Sequence, residues 1–205
     1  MSEKFIITIA REYGSNGRII GRRTAELLKT SFYDSELITM AARKSGMSQN
    51  LLTDIDEKAA NSLMYSISVG AGTFSGFGTS FNMPMNDKLF LVEADIIKEI
   101  AQKENAVIVG RCSDYLLRDC PQAVNVFIYA PYEIRKQTVA ERYQVSLDKA
   151  AEMIVKKEKQ RKSYYNYYAG RKWGQPGNYD LCIDSSVLGQ EGTAELIADF
   201  VKKIK

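Results

Sequence analysis

Two hydrophobic rhythms alternate along the chain. Phe5, Ile6, Ile7, Ile9 and Ala10 form a nearly unbroken apolar run, the pattern of a strand buried on both faces. A polar turn from Arg11 to Arg18 follows, and then Ile19, Ile20, Thr24, Leu27 and Leu28 recur at helical spacing. Ser31-Phe32-Tyr33-Asp34 predicts a short second strand ending in an acid. Ser35 is placed to cap the next helix, which carries Leu37, Ile38, Ala41 and Ala42 and stops at Gly46. Ser48 opens another helix, with Leu51, Leu52, Ile55 and Ala59 on one side. Asp87 is the expected cap of a strongly amphipathic helix bearing Leu89, Val92, Ile96, Ile97 and Ile100.

Ala106–Val109 reads as a third strand with Gly110-Arg111 at its C-terminal end, and Val124–Tyr129 as a fourth. Pro131 suits the first turn of a helix carrying Ile134, Arg135, Val139 and Arg142. Ser146 caps a long helix whose apolar face holds Leu147, Ala150, Ala151, Ile154 and Val155. Tyr179–Asp184 is a fifth strand. A closing helix carries Leu196, Ile197, Phe200, Val201 and Ile204. Strands alternating with helices predict an α/β three-layer sandwich with a five-stranded, mainly parallel sheet and the first strand central.

One stretch breaks the rhythm. Ser66–Asn86 is rich in Gly, Ser, Phe and Met and holds no lasting period. Loops of that length in compact domains are usually functional or disordered. The expectation is a substrate-side loop, with a contact between copies in a homo-oligomer as the competing idea.

Composition narrows the chemistry. The 205 residues fit a single domain, 1–205. The formal charge of +3 is too small to demand nucleic acid as a partner. The three cysteines, Cys112, Cys120 and Cys182, match neither a zinc knuckle nor a redox pair, and read as free thiols. With His 0, histidine triads and histidine-ligated metals are excluded. No apolar run is long enough to span a bilayer, and Met1–Lys4 leads straight into the first strand, so the expected location is cytoplasmic.

The turn at Gly14-Ser15-Asn16-Gly17-Arg18 carries the sharpest chemical signal. The first amides of a helix lack internal partners and carry a partial positive charge. Glycines let such amides wrap an anion. A strand, a glycine-bearing turn and a helix therefore suit phosphate. Against G-x-x-x-x-G-K-[ST], Glu12 stands at the first Gly, Arg18 at the Lys and Ile19 at the Ser/Thr. Context supports the motif where the consensus does not. The expected arrangement is amides of residues 14–17 backed by the Arg18 guanidinium.

Taken together, IAREYGSNGR, FYDSELI, VIVGR, VFIYAPYEIR and SYYNYYAGRKWGQPGNYDLCID resemble the cytidylate kinase-like family of nucleoside-monophosphate kinases. The resemblance covers nearly the whole chain. It implies a P-loop kinase fold with a lid (residues 147–178) and an acceptor-side insertion (residues 46–86), acting with ATP and Mg²⁺. It implies donor-phosphate contacts at Gly14, Ser15, Asn16, Gly17 and Arg18. Acceptor-side and metal-side groups fall at Asp34 and Ser35, with Asp34 the metal ligand. Arg111 would grip the acceptor phosphate, a task that suits a planar bidentate donor. Arg135, Lys159, Arg161 and Lys162 fall where the family has lid cations, and Asp184 where an acid can hold the base or cap a turn. The tyrosines 164, 165, 167 and 168 and Trp173 either pack the lid or stack a base.

Departures are also visible. Arg18 replaces a lysine, Ile19 and Ile20 offer no hydroxyl for the metal, and Met40 stands where the family has an arginine, with Arg43 one turn further on. The reading is an ATP-dependent phosphotransferase with CMP or dCMP first among acceptors. A kinase for a non-nucleotide metabolite and a non-catalytic nucleotide-binding regulator are the alternatives.

Overall fold

The structure is a computed structural model that describes residues 4–34, 40 and 84–204. Ser35, Arg43, the helices expected over residues 37–59 and nearly all of the 66–86 loop lie outside the described residues.

The strands are β1 (Ile6–Arg11), β2 (Ser31–Tyr33), β3 (Ala106–Val109), β4 (Ala123–Tyr129) and β5 (Leu181–Asp184). They form a parallel sheet in the order β2-β3-β1-β4-β5, with β1 central. The described helices are α1 (Gly17–Leu28), α2 (Met85–Lys103), α3 (Ser113–Leu116), α4 (Tyr132–Tyr143), α5 (Leu147–Ala169) and α6 (Ser185–Ile204).

Neighbouring residues of β1 serve opposite layers, because strand side chains alternate. Ile7 and Ile9 join Val107, Val109, Val126 and Ile128 beneath α1 and α6. Ile6 joins Ala106 and Ile108 beneath α2, whose Leu89, Ile96, Ile97 and Ile100 close the other face. Thr8, also buried, sits opposite Asn125 in the β1–β4 register and donates to its Oδ1 at 2.7 Å. Unpaired, that buried hydroxyl would cost about 1–3 kcal/mol.

Several helix ends follow their sequence signals. Ser146 Oγ accepts from the Lys149 amide, and Gly170 ends α5 in the left-handed region at φ 60°. Asp87 differs from its expected capping role. The helix starts at Met85 after Pro84, and the Asp87 carboxylate accepts from the Tyr168 hydroxyl at 2.8 Å. The closing helix bends at Gly189, whose φ of 66° is incompatible with a continuous helix. Among the described residues no helix is long and apolar enough to cross a membrane.

Candidate active site

A cavity of about 490 Å³ lies beyond the C-terminal ends of β1, β2 and β3, where open parallel sheets bind ligands. Ala10 and Arg11 come from the end of β1, Asp34 follows β2, and Val109 to Cys112 follow β3. The long helix α5 crosses the cavity. Its residues Met153, Lys157, Gln160, Arg161 and Tyr164 recur at three- and four-residue steps and line it from one helical face.

The α5 helix is anchored at its far end by aromatic packing. Phe90 of α2 stacks on Tyr168 at 4.0 Å between ring centroids, Tyr164 meets the same phenyl ring edge-on, and Tyr165 donates to Asp114 Oδ2 at 2.5 Å. The tyrosine cluster therefore packs α5 onto α2 and α3, while Tyr164, Tyr165 and Trp173 also line the cavity.

The turn after β3 is strained. Gly110, Arg111 and Cys112 all have left-handed φ, at 83°, 59° and 53°. Two successive non-glycine residues there cost on the order of 1 kcal/mol each or more, and such strain gathers at functional sites. The result sends Arg111 into the cavity. Its Nε lies 3.3 Å from Glu93 Oε1, and its guanidinium sits 5.8 Å above the Tyr164 ring. Glu93 is 1% exposed, and its other oxygen accepts from Tyr164 at 3.3 Å. Burial pushes the Glu93 carboxyl up to about 8, against the pull of that hydroxyl.

Cationic groups outnumber their counter-charges on this surface. Arg11, Arg111, Lys157 and Arg161 line the cavity, facing Asp34 and Asp114. Arg161 Nη1 donates to the Arg11 carbonyl at 3.0 Å, and its guanidinium stacks 5.3 Å from the Tyr13 ring centroid. Burial, then repulsion from Arg11, lowers the Arg161 pKa from its ordinary value. Arg11 is lowered too, by burial first; Asp34 opposes this, while Arg111 and Arg18 add to it. Asp114 is raised by burial, with Tyr165 opposing. Guanidiniums held together in this way are suited to an anion, above all a phosphoryl group able to accept several N–H donors at once.

The glycine-bearing turn lies beside this cavity. Left-handed φ at Gly14 (89°) and Asn16 (61°) suits an amide nest at the start of α1, in which the Ser15 amide also donates to the Glu12 carbonyl at 3.4 Å. The loop is pinned from beneath. Ser15 Oγ lies 3.0 Å from the Glu12 carbonyl and 3.1 Å from the Ile128 carbonyl, and Ser185 Oγ donates to the Ser15 carbonyl at 2.8 Å. Asn16 Oδ1 accepts from Arg142.

The remaining candidates are dispersed. Arg18 pairs through Nε with Asp34 and has a half-exposed side chain, so its guanidinium is engaged with the acid after β2. Arg135 is buried outside the cavity. It donates to the carbonyls of Ala130 (2.9 Å) and Tyr13 (3.2 Å) and pairs with Glu12 at 3.1 Å and with Glu158. Lys159 and Lys162 are exposed on faces of α5 away from the cavity. Asp184 accepts from the amide and hydroxyl of Ser186 at 2.9 and 2.6 Å, a local cap at the start of α6.

Arg11, which lines the cavity, and Glu93, buried behind Arg111, are site residues that the sequence reading passed over. Both left a signal. Arg11 is a cation ending an otherwise apolar central strand. Glu93 is an acid on the apolar stripe of α2, four residues after Leu89 and four before Ile97. Among the described residues, no group of three or more Cys, Asp or Glu side chains is gathered to hold a metal.

Comparison with known proteins agrees with this geometry. The profile of the cytidylate kinase-like family matches residues 6–187. A cytidylate kinase from Staphylothermus marinus is 26% identical over 200 residues, covering 97% of each chain. A cytidylate kinase from Thermococcus sibiricus is 32% identical over 100 residues, which is 48% of this chain and 50% of that protein. Among solved structures, an uncharacterized protein from Eubacterium ventriosum superposes with a TM-score of 0.68 at 25% identity, covering 97% of this chain and 99% of that one. Shikimate kinase from Bacteroides thetaiotaomicron shares the fold, with a TM-score of 0.54 at 10% identity over 97% and 98% of the two chains. The central parallel sheet, the glycine turn opening α1 and the match along residues 6–187 lead to one assignment: the chain belongs to the cytidylate kinase-like family and has the P-loop kinase fold.

Proposed function

We propose that the chain is an ATP-dependent phosphotransferase acting on a nucleoside monophosphate, with CMP or dCMP as the preferred acceptor. The observation that carries this reading is the meeting of Arg11, Arg111 and Arg161 in one cavity beside the amide nest. The nest suits the β- and γ-phosphates of the donor, and the cavity suits the phosphate of the acceptor. The cytidylate kinases among its relatives support the choice of base.

In the reaction, an acceptor phosphate oxygen forms a bond to the γ-phosphorus while the bond to the β–γ bridging oxygen breaks. ADP and a nucleoside diphosphate leave. The attacking atom is already an oxyanion, so no strong general base is required, in keeping with a chain that has no histidine. Arg111 orients the acceptor phosphate, its own position set by Glu93 and Tyr164. Arg161, reaching down from α5, lies where it would stabilise charge spreading over the transferring group.

Mg²⁺ in such sites needs one or two carboxylates, with water and phosphate oxygens completing the octahedron. Asp34, in the cavity and beside Arg18, fits that limited role, and the ion would supply charge neutralisation across the phosphates.

A coupled assay over all nucleoside monophosphates with Mg-ATP tests the reading. CMP or dCMP is expected to turn over fastest. No turnover of any of them by folded protein would reject it.

A further inference from the structure

Arg11 occupies a slot that two glycines keep open. A Cβ on Gly17 would lie 2.6 Å from Arg11 Cβ and 2.9 Å from its Cγ. A Cβ on Gly110 would lie 2.3 Å from Arg11 Nη1. The side chain therefore runs from the end of β1, past the first turn of α1, to the end of β3. Nothing larger than glycine fits at either crossing without moving it. Its backbone carbonyl is held by Arg161 at 3.0 Å, and its Nε is buried with no hydrogen-bond partner among the described residues.

A buried, unsatisfied guanidinium nitrogen is expensive. One maintained by two glycines, at the wall of a cavity that also holds Arg111 and Arg161, has a location that calls for an anion. We propose that Arg11 is a phosphate-binding residue, reaching the phosphoryl oxygens at the junction between the amide nest and Arg111. It would thereby supply charge that a lysine gives in the Walker A consensus, while Arg18 is held by Asp34. The inference rests on the kinase reading for its choice of ligand, but on the geometry of Arg11 for its site.

The test is a thermal-stability titration of the full chain with inorganic phosphate, then with CMP and with ATP. Wild type is compared with Arg11→Met and Arg11→Lys. Phosphate should stabilise the wild type, and its apparent affinity should fall at least tenfold in Arg11→Met. It should fall less in Arg11→Lys, which keeps the charge and loses the planar fork. If Arg11→Met does not fold, Arg11→Lys decides alone: a several-fold loss supports the assignment and unchanged affinity overturns it. A loss confined to CMP puts Arg11 on the acceptor phosphate, a loss confined to ATP puts it on the donor, and a loss for neither overturns the proposal. The two readings fail separately. Phosphate binding that depends on Arg11 in a chain without kinase turnover would sink the kinase and keep the site. Full turnover with unchanged phosphate binding in Arg11→Met would do the reverse.

Discussion

The arginines of this fold live in two kinds of place. Arg135 sits in a closed bracket, with two carbonyls and the carboxylates of Glu12 and Glu158 around it. It ties the phosphate-loop entrance, the end of β4 and the middle of α5 together. Arg11 and Arg161 sit on a cavity wall, where burial lowers both pKa values and neighbouring guanidiniums add to it: Arg111 and Arg18 act on Arg11, and Arg11 acts on Arg161. The lesson lies in the accounting of partners. A buried guanidinium whose donors are matched by protein oxygens is structural, and guanidiniums crowded against one another on a cavity wall are the ones we propose bind an anion.

The largest effect is expected at the bracket. Arg135→Met would strand Glu12 and Glu158 and release the Tyr13 carbonyl. Breaking a buried pair from one side costs about 3–5 kcal/mol. For a domain of this size that lowers Tm by roughly 6–20 °C, measurable by calorimetry. Burial already pushes the Glu12 carboxyl above its usual range, with Arg135 the main opposing influence. Activity should fall only as far as folding does, so kcat per folded molecule should hold. A loss of kcat in well-folded Arg135→Met would move this residue from the bracket to the site.

The converse is expected at the wall. Arg161→Met should leave stability within about 1 kcal/mol of wild type, because relief from Arg11 offsets the lost hydrogen bond. Its kcat/KM with the best acceptor should drop by about 10²–10³, the scale of removing one preorganised donor from a developing charge. Lys159→Ala is the matched control. It lies two residues away on the exposed side of α5 and should change kcat/KM by less than about twofold and stability by less than about 0.5 kcal/mol. Equal losses in the two variants would mean that the basic segment works as a diffuse field, not through one face.

How these places divide was only partly legible in the sequence. The layers were, because apolar runs and helical periods are local: β1 read as the central strand, and Ser146 capped α5 as its chemistry dictates. The sorting of arginines was not. Arg135 looks from its own helix like a lid cation, and only Glu12, Tyr13 and Ala130, which the sheet order brings beside it, reveal a staple. Arg11 looks like the first polar residue of a turn. What singles it out is the joint presence of Gly17 and Gly110, which come from α1 and the end of β3. The cavity face of α5 is also written in its helical spacing, although the reading of Lys159 and Lys162 as lid cations beside Arg161 did not use it. Residues 153, 157, 160, 161 and 164 share that face, and 159 and 162 cannot.

The smallest effect, and the sharpest probe of the wall, is the pH dependence at Glu93. Its carboxyl has an ordinary value of 4.5 and is raised by burial to about 8. Between those values the folded chain keeps a proton that the unfolded chain has released. The folded state then binds more protons, so stability falls as pH rises through the window, and the contribution is gone above it. Glu93→Gln removes the titration. Wild type should therefore lose at least about 1 kcal/mol relative to Glu93→Gln between pH 5 and pH 8, within the ceiling of about 4 kcal/mol that about 1.4 kcal/mol per pH unit sets for one proton over that window. Arg111 limits the effect, since its Nε lies 3.3 Å away and favours the carboxylate. The contact also sets the stakes. A protonated Glu93 leaves the Arg111 charge available to an incoming phosphate, whereas an ionised one competes for it. If parallel melts of the two proteins keep a constant separation across the window, Glu93 is ionised throughout. Arg111 would then belong with Arg135, among the matched arginines.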